Sequence, residues 1–152
     1  MDLNIFETNE TKSDDGVWVP VDLKTSVKIA RYGNRKFNRA LQRGMKPYKQ
    51  LIDKEALDDA TSDKVFVTAI VEGILVDWRG MEYNGEALAY SKEAAIKILL
   101  NKKLRDFREF VIVTSQDMQL YRDEEVAEAE GKSESSSDGN LSGESEKISS
   151  AA

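Results

Sequence analysis

The side chains in this sequence best suited to chemistry are the carboxylates Asp77, Asp106, Glu109 and Asp117. In pairs they would serve acid–base work or hold a hard cation. No D-x-D-x-D-G run supports a calcium loop, and Asp106 and Glu109 stand beside Arg105 and Arg108, which reads as ion pairing along a helix surface. Histidine and cysteine are absent. Their absence removes the usual proton carrier near neutral pH, the commonest metal ligand, the thiolate nucleophile and any disulfide. Gly33, Gly80 and Gly85 are isolated, and none joins a strand to a helix with a Lys-Ser or Lys-Thr signature, so no phosphate-cradling loop is expected. The residues therefore predict a binding protein: not an enzyme, with no catalytic residues, no metal and no cofactor.

Charge is distributed unevenly. The formal net charge is -6, yet every charged residue from Lys24 to Lys49 is basic, and after Arg122 the charges are mostly acidic. Such a basic stretch suits an acidic partner or nucleic acid, or is a solvated face that balances the acidic end. A pI near 4.9 and the lack of interleaved exposed aromatic residues argue against nucleic acid. Trp78, beside a Gly-containing loop, either plugs the core or anchors a partner. The candidate partner-binding residues are Arg35, Phe37, Arg39, Leu41, Arg43, Tyr48, Trp78 and Phe107.

The elements that would position these side chains are mainly α. Residues 1–15 are polar and are expected to form a flexible arm. Val17, Val19 and Val21 alternate with Trp18 and Pro20, the period of a short edge strand, and Ser26 to Tyr32 can pair with it as a small N-terminal β-hairpin. Asn34 caps a helix to about Met45, with Phe37, Ala40, Leu41 and Met45 on one face. A second short helix, about Pro47 to Leu57, would bury Tyr48, Leu51, Ile52 and Leu57. Thr61 or Ser62 opens the most apolar segment, whose run from Val65 to Trp78 predicts a central helix, although its β-branched content would also suit a strand. Arg79 to Tyr90 should be a loop turning at Asn84-Gly85, and Ser91 should cap a short helix ending near Asn101.

From about Lys103 to Glu130 the stripe of Leu104, Phe107, Val111, Met118 and Tyr121 predicts one long C-terminal helix. Residues 131–152 are Ser-rich and acidic, with too few apolar anchors to offset the entropy of ordering, and are expected to be a disordered tail. One helical domain over 16–130 is the result. The start of the sequence carries no basic and apolar leader pattern, and no run reaches the roughly 18 apolar residues of a membrane span. A soluble protein in a reducing cytoplasm is expected.

Five segments in order carry a family resemblance: GVWVPVD at Gly16, KIARYGNRKFNRAL at Lys28, ILVDWRGM at Ile74, NGEALAYSKEAAIKIL at Asn84 and LRDFREFVIVTSQDMQLYR at Leu104. Together they resemble tail assembly chaperones of long-tailed, siphovirus-type bacteriophages. The resemblance implies a helical domain without catalysis that binds the tape-measure protein and keeps it soluble in the host cytoplasm, absent from the mature virion. It also implies a longer product made by a late ribosomal frameshift, through which tail tube protein would be recruited. Gly131-Lys132 is a candidate frameshift site, and Gly131 as a simple helix stop is the competing reading. A homo-oligomer is left open, and no membrane partner is expected. A minor tail or head–tail connector protein and a nucleic-acid-binding regulator are the alternative functions.

Overall fold

The structure, a computed structural model, describes residues 1–123 and is mainly α with a small antiparallel sheet. The described residues divide into two compact units, 10–120 and a second unit of 1–9 with 121–123.

In the larger unit a short helix α1 (Glu10–Asp15) precedes strands β1 (Val17–Pro20) and β2 (Ser26–Ile29). They pair antiparallel as expected, with Val17 opposite Ile29 and Val19 opposite Val27. The connection closes because the Asp22 carboxylate accepts from the backbone N–H groups of Lys24 (2.8 Å) and Thr25 (2.7 Å). Pro20 lacks an N–H, and β1 lies at the sheet edge, where that costs no ladder bond.

Helix α2 (Arg35–Met45) begins at the expected cap: the Asn34 side chain accepts from Phe37 N at 3.0 Å. Its Nδ2 donates to the Arg31 and Gly73 carbonyls at 2.8 and 2.7 Å, so one amide also ties the cap to the neighbouring helix. A 3-10 turn at Lys46–Tyr48, with Pro47 near its start, leads into α3 (Lys49–Asp53). The expected second short helix is thus split between these two elements.

The central apolar segment departs from expectation. Helix α4 (Asp59–Gly73) starts before Thr61, because the Asp58 carboxylate accepts from Thr61 N at 3.0 Å and caps it. It stops at Gly73, and after Ile74 the chain becomes strand β3 (Leu75–Arg79) rather than continuing as helix to Trp78. The reason is tertiary: β2 has an open edge, which β3 fills antiparallel with Val27 opposite Trp78 and Ile29 opposite Leu75. Ala30 N donates to the Ile74 carbonyl at 2.8 Å and extends the pairing to the end of α4. The hairpin is therefore part of a three-stranded sheet in the order β1-β2-β3. On its outer face the Arg79 guanidinium lies 3.8 Å from the centre of the Trp18 ring, a cation–π contact across the sheet.

The expected turn is present between β4 (Glu82–Tyr83) and β5 (Glu86–Ala87). Asn84 and Gly85 both take positive φ, 54° and 80°, as a tight two-residue hairpin turn requires. Ser91 caps α5 (Lys92–Leu100) by accepting from Ala94 N at 3.0 Å.

The long C-terminal helix is not formed. Helix α6 (Arg105–Ser115) ends at Ser115, whose hydroxyl donates back to the Ile112 carbonyl at 2.6 Å. Two residues on, the Asp117 carboxylate accepts from Gln119 N at 3.0 Å and opens a 3-10 turn, Met118–Tyr121. Short polar side chains that bond to the backbone compete with the helical ladder, and here they break the stripe. Met118, expected on the buried face, is exposed.

The core lies where α2 crosses α4 beneath the sheet. Val27, Ile29, Phe37, Val67, Ile70 and Leu75 are all buried to within 1% exposure. Trp78 closes one end: its indole N–H donates to the Leu88 carbonyl at 2.8 Å and its ring meets Tyr90 edge-on at 4.9 Å.

In the second unit, residues 1–9 are not featureless. Leu3–Phe6 form a 3-10 turn capped by Asp2, Thr8 bridges Arg122, and Asn9 N donates to the Tyr121 carbonyl at 2.8 Å. The expectations for a disordered tail and a frameshift at Gly131-Lys132 lie outside the described residues.

Candidate partner-binding groove

An open apolar cleft of about 390 Å³ runs between α2, α3 and α4. Leu41 and Met45 form one wall, four residues apart and so one above the other on α2. Ile52 of α3, Leu57 and the α4 pair Val65 and Phe66 form the rest. The wall from α3 is shaped by Glu55, which takes a left-handed φ of 54° rarely adopted by residues other than glycine. That turn lets Ala56 N donate to the Leu51 carbonyl at 2.7 Å and swings Leu57 back toward α4. Backbone strain of this kind is retained where the surroundings hold it.

The expected partner-binding residues do not share one surface. Phe37 and Trp78 are core side chains at 1% and 4% exposure, so neither can meet a partner while the fold is intact. Leu41 lines the groove. Tyr48 is half-buried in the 3-10 turn and does not line it. Phe107 lines a separate, smaller cleft of about 290 Å³ with Val21, Thr25 and Met81. Arg35, Arg39 and Arg43 are exposed and form a single stripe at four-residue spacing. At 3.6 residues per turn, Arg39 stands about 160° around the helix from Leu41, so the basic stripe and the apolar wall are on nearly opposite sides of α2. Sequence reasoning omitted Met45, Val65 and Phe66 from the site. The signal for Met45 was its spacing from Leu41; nothing in the sequence marked Phe66 as half-exposed rather than core.

Electrostatic pairs lie elsewhere. Arg108 of α6 donates to both Asp63 oxygens, at 2.5 and 3.1 Å, and this hydrogen bond holds the Asp63 carboxyl below its usual range, helped by the charges of Arg108 and Lys102 and opposed by partial burial. Burial pushes the Tyr90 hydroxyl up to about 12, with the charges of Asp77 and Glu72 acting the same way, while that hydroxyl donates to the Leu75 carbonyl at 2.7 Å. Asp77 lies opposite Lys28 in the sheet, remote in sequence from Asp106 and Glu109 on α6. Among the described residues no three acidic side chains are grouped so as to hold a metal ion, and no helix is long and apolar enough to cross a membrane.

The sequence model of one family, described as YdaY prophage protein, matches residues 32–132. The chain belongs to the YdaY prophage protein family. It is thus a phage-derived protein. No curated protein and no solved structure matches it. The YdaY match begins at Tyr32, just before the Asn34 cap, and so takes in every helix that forms the groove while leaving out β1 and β2.

Proposed function

We propose that this YdaY-family protein is an assembly chaperone of phage tails, a non-catalytic binding protein that keeps the tape-measure protein soluble in the host cytoplasm until tube subunits replace it. The observation that carries the reading is the open apolar groove, with Leu41 and Met45 stacked on one wall and Ile52, Val65 and Phe66 on the other. An amphipathic helix laid over such a cleft inserts one or two apolar anchors and leaves its polar face in water. The prophage family supports a phage-related role, and the choice of partner rests on the five ordered segments that resemble tail chaperones. The basic stripe Arg35, Arg39, Arg43 would attract acidic regions of that partner at longer range. Recruitment of tail tube protein by a longer frameshifted product belongs to the same proposal.

Co-expression with the tape-measure protein of the same prophage tests it. The tape-measure protein should become soluble and co-purify with the wild type but not with Met45→Asp, which places a charge at the groove mouth. Solubility unchanged by the wild type would overturn the reading. The protein's presence in purified particles would favour a structural tail or connector role, and tight DNA binding that weakens steeply with salt would favour a nucleic-acid regulator.

A further inference from the structure

The groove between α2, α3 and α4 is lined by six apolar residues, Ser62 and a single charged residue, Glu55. That glutamate stands where the backbone favours another residue. Helix α3 ends in a Schellman motif: Glu55 N donates to the Ile52 carbonyl at 3.0 Å and Ala56 N to the Leu51 carbonyl at 2.7 Å, with Glu55 at the left-handed position. Glycine is the usual occupant of that position, because a Cβ is strained there, and glutamate lacks the short polar side chain that lets asparagine tolerate it. The side chain returns nothing to the fold. It is exposed, and among the described residues no ion pair or side-chain hydrogen bond engages its carboxylate.

The charges around the groove do not compete with it. Lys46, Lys49 and Lys54 balance Asp53, Asp58 and Asp59 in the bounding segment, and none of the six lines the cleft. Asp63 is paired with Arg108. The basic stripe Arg35, Arg39, Arg43 lies on the far side of α2 from Leu41. A segment laid into the cleft therefore meets one charge among apolar walls, and that charge is negative.

We infer that the segment seated in this groove is an amphipathic helix carrying a lysine or arginine beside its apolar anchors, and that Glu55 selects it by pairing with that cation. The apolar walls supply most of the affinity, and they accept any helix face of suitable shape. Glu55 supplies the choice. A helix with an acid at the same place would set two carboxylates against each other beside an apolar cleft, where like charges are costly, so rejection contributes as much as attraction. The inference rests on the reading of the groove as a helix-binding site and names the chemistry of the helix it takes.

The test uses two fluorescent synthetic helices with one identical apolar face, flanked in one by lysines and in the other by glutamates, each titrated with the full chain and followed by anisotropy. Wild type should bind the lysine-flanked helix about fivefold more tightly, the scale of a favourable against an unfavourable surface pair. Glu55→Gln should bring the two affinities together, and Glu55→Lys should reverse their order. Glu55→Gly should also abolish the preference while raising the melting temperature, because glycine relieves the left-handed backbone. Met45→Gln, exposed on the α2 wall, should weaken both helices alike and so places them in the groove. Equal binding of the two helices by wild type, a preference that survives Glu55→Gln, or binding indifferent to Met45→Gln would overturn the inference. Equal binding that Met45→Gln weakens would leave the groove of the proposed function standing. Binding of neither helix would remove the inference, and co-purification of the tape-measure protein would then report separately on the proposed function.

Discussion

Gly73 passes so close beneath the start of α2 that a Cβ on it would come within 2.6 Å of Phe37 Cα and overlap the Phe37 backbone nitrogen as well. The crossing of α2 and α4 is set by this contact, because backbone cannot move aside as a side chain can. Gly73→Ala should destabilise the fold by about 3 kcal/mol or more, despite the roughly 1 kcal/mol that alanine gains over glycine in a helix. Gly44→Ala is the control. A Cβ there meets first the Cγ1 of Val65 at 2.9 Å, a methyl group that can shift. Its net effect should stay within about 1 kcal/mol. Urea unfolding of both variants measures the difference, and equal effects would show that the crossing is not limited at Gly73.

Asn34 combines acceptor and donor roles in one buried amide. Asn34→Ala removes the cap on Phe37 N and leaves the Gly73 carbonyl without that donor, at a cost of about 2 to 4 kcal/mol. Asn34→Asp keeps the acceptor but turns a negative oxygen toward two carbonyl oxygens. At neutral pH it should be at least as harmful as alanine, and it should recover in part as the pH falls toward about 4, because the protonated acid regains a donor. An aspartate variant as stable as wild type at pH 7 would contradict the geometry.

Trp78 is a core residue with one polar obligation. Trp78→Ala should cost about 3 to 5 kcal/mol through the cavity it leaves. Trp78→Phe should cost less, since it keeps the edge-on partner for Tyr90 but frees the Leu88 carbonyl from its 2.8 Å bond. Thermal and urea melts give the ranking; a near-neutral alanine variant that lost partner capture would instead mark Trp78 as an anchor.

The two ends of the pH profile belong to different residues. Asp63 has a folded pKa below its unfolded value of 3.8, so its pairing with Arg108 contributes fully above pH 3.8 and is lost as the pH falls through the lower folded value. The stability gap between wild type and Asp63→Asn should therefore close in acid, and the gap should be modest because the pair is partly exposed. Tyr90 runs the other way. Its folded pKa is about 12 against 10.0, so its contribution is complete below pH 10 and disappears as the pH rises toward 12. Tyr90→Phe should flatten that alkaline loss, and the wild-type minus variant difference in ultraviolet titration should show Tyr90 ionising near pH 12.

The elements that announce themselves locally were legible in the sequence. Asn34 and Ser91 have cap chemistry that depends on three following residues, Asn84-Gly85 has the φ preferences of its turn, and Val17 to Ile29 alternates as a hairpin should. The segment Ile74–Arg79 was not legible in this way. Its β-branched and apolar residues suit either structure, and the deciding fact, an open edge on β2 fifty residues earlier, is tertiary. The end of α6 was hidden for a related reason: Ser115 and Asp117 are ordinary helix-surface residues until their side chains choose the backbone. The groove was half legible. The positions Leu41, Ile52 and Leu57 could be read as one-sided, but exposure is set by what fails to cover them, which a period does not encode.

The direct passage from α4 into β3, with Ile74 alone between them, makes the chain intolerant of length change at that point. One residue gained or lost there would exchange the two faces of β3, turning Trp78 to solvent and the Asp77 carboxylate toward the core. The hairpin connections at Asp22–Thr25 and Asn84-Gly85 sit at the opposite extreme: they are largely exposed, and a slip there is confined to β1 or to the β4–β5 pair, neither of which pairs with a further strand among the described residues. Natural insertions, tags or reporter peptides are therefore admissible at the two hairpins, while the junction at Ile74 admits substitutions only.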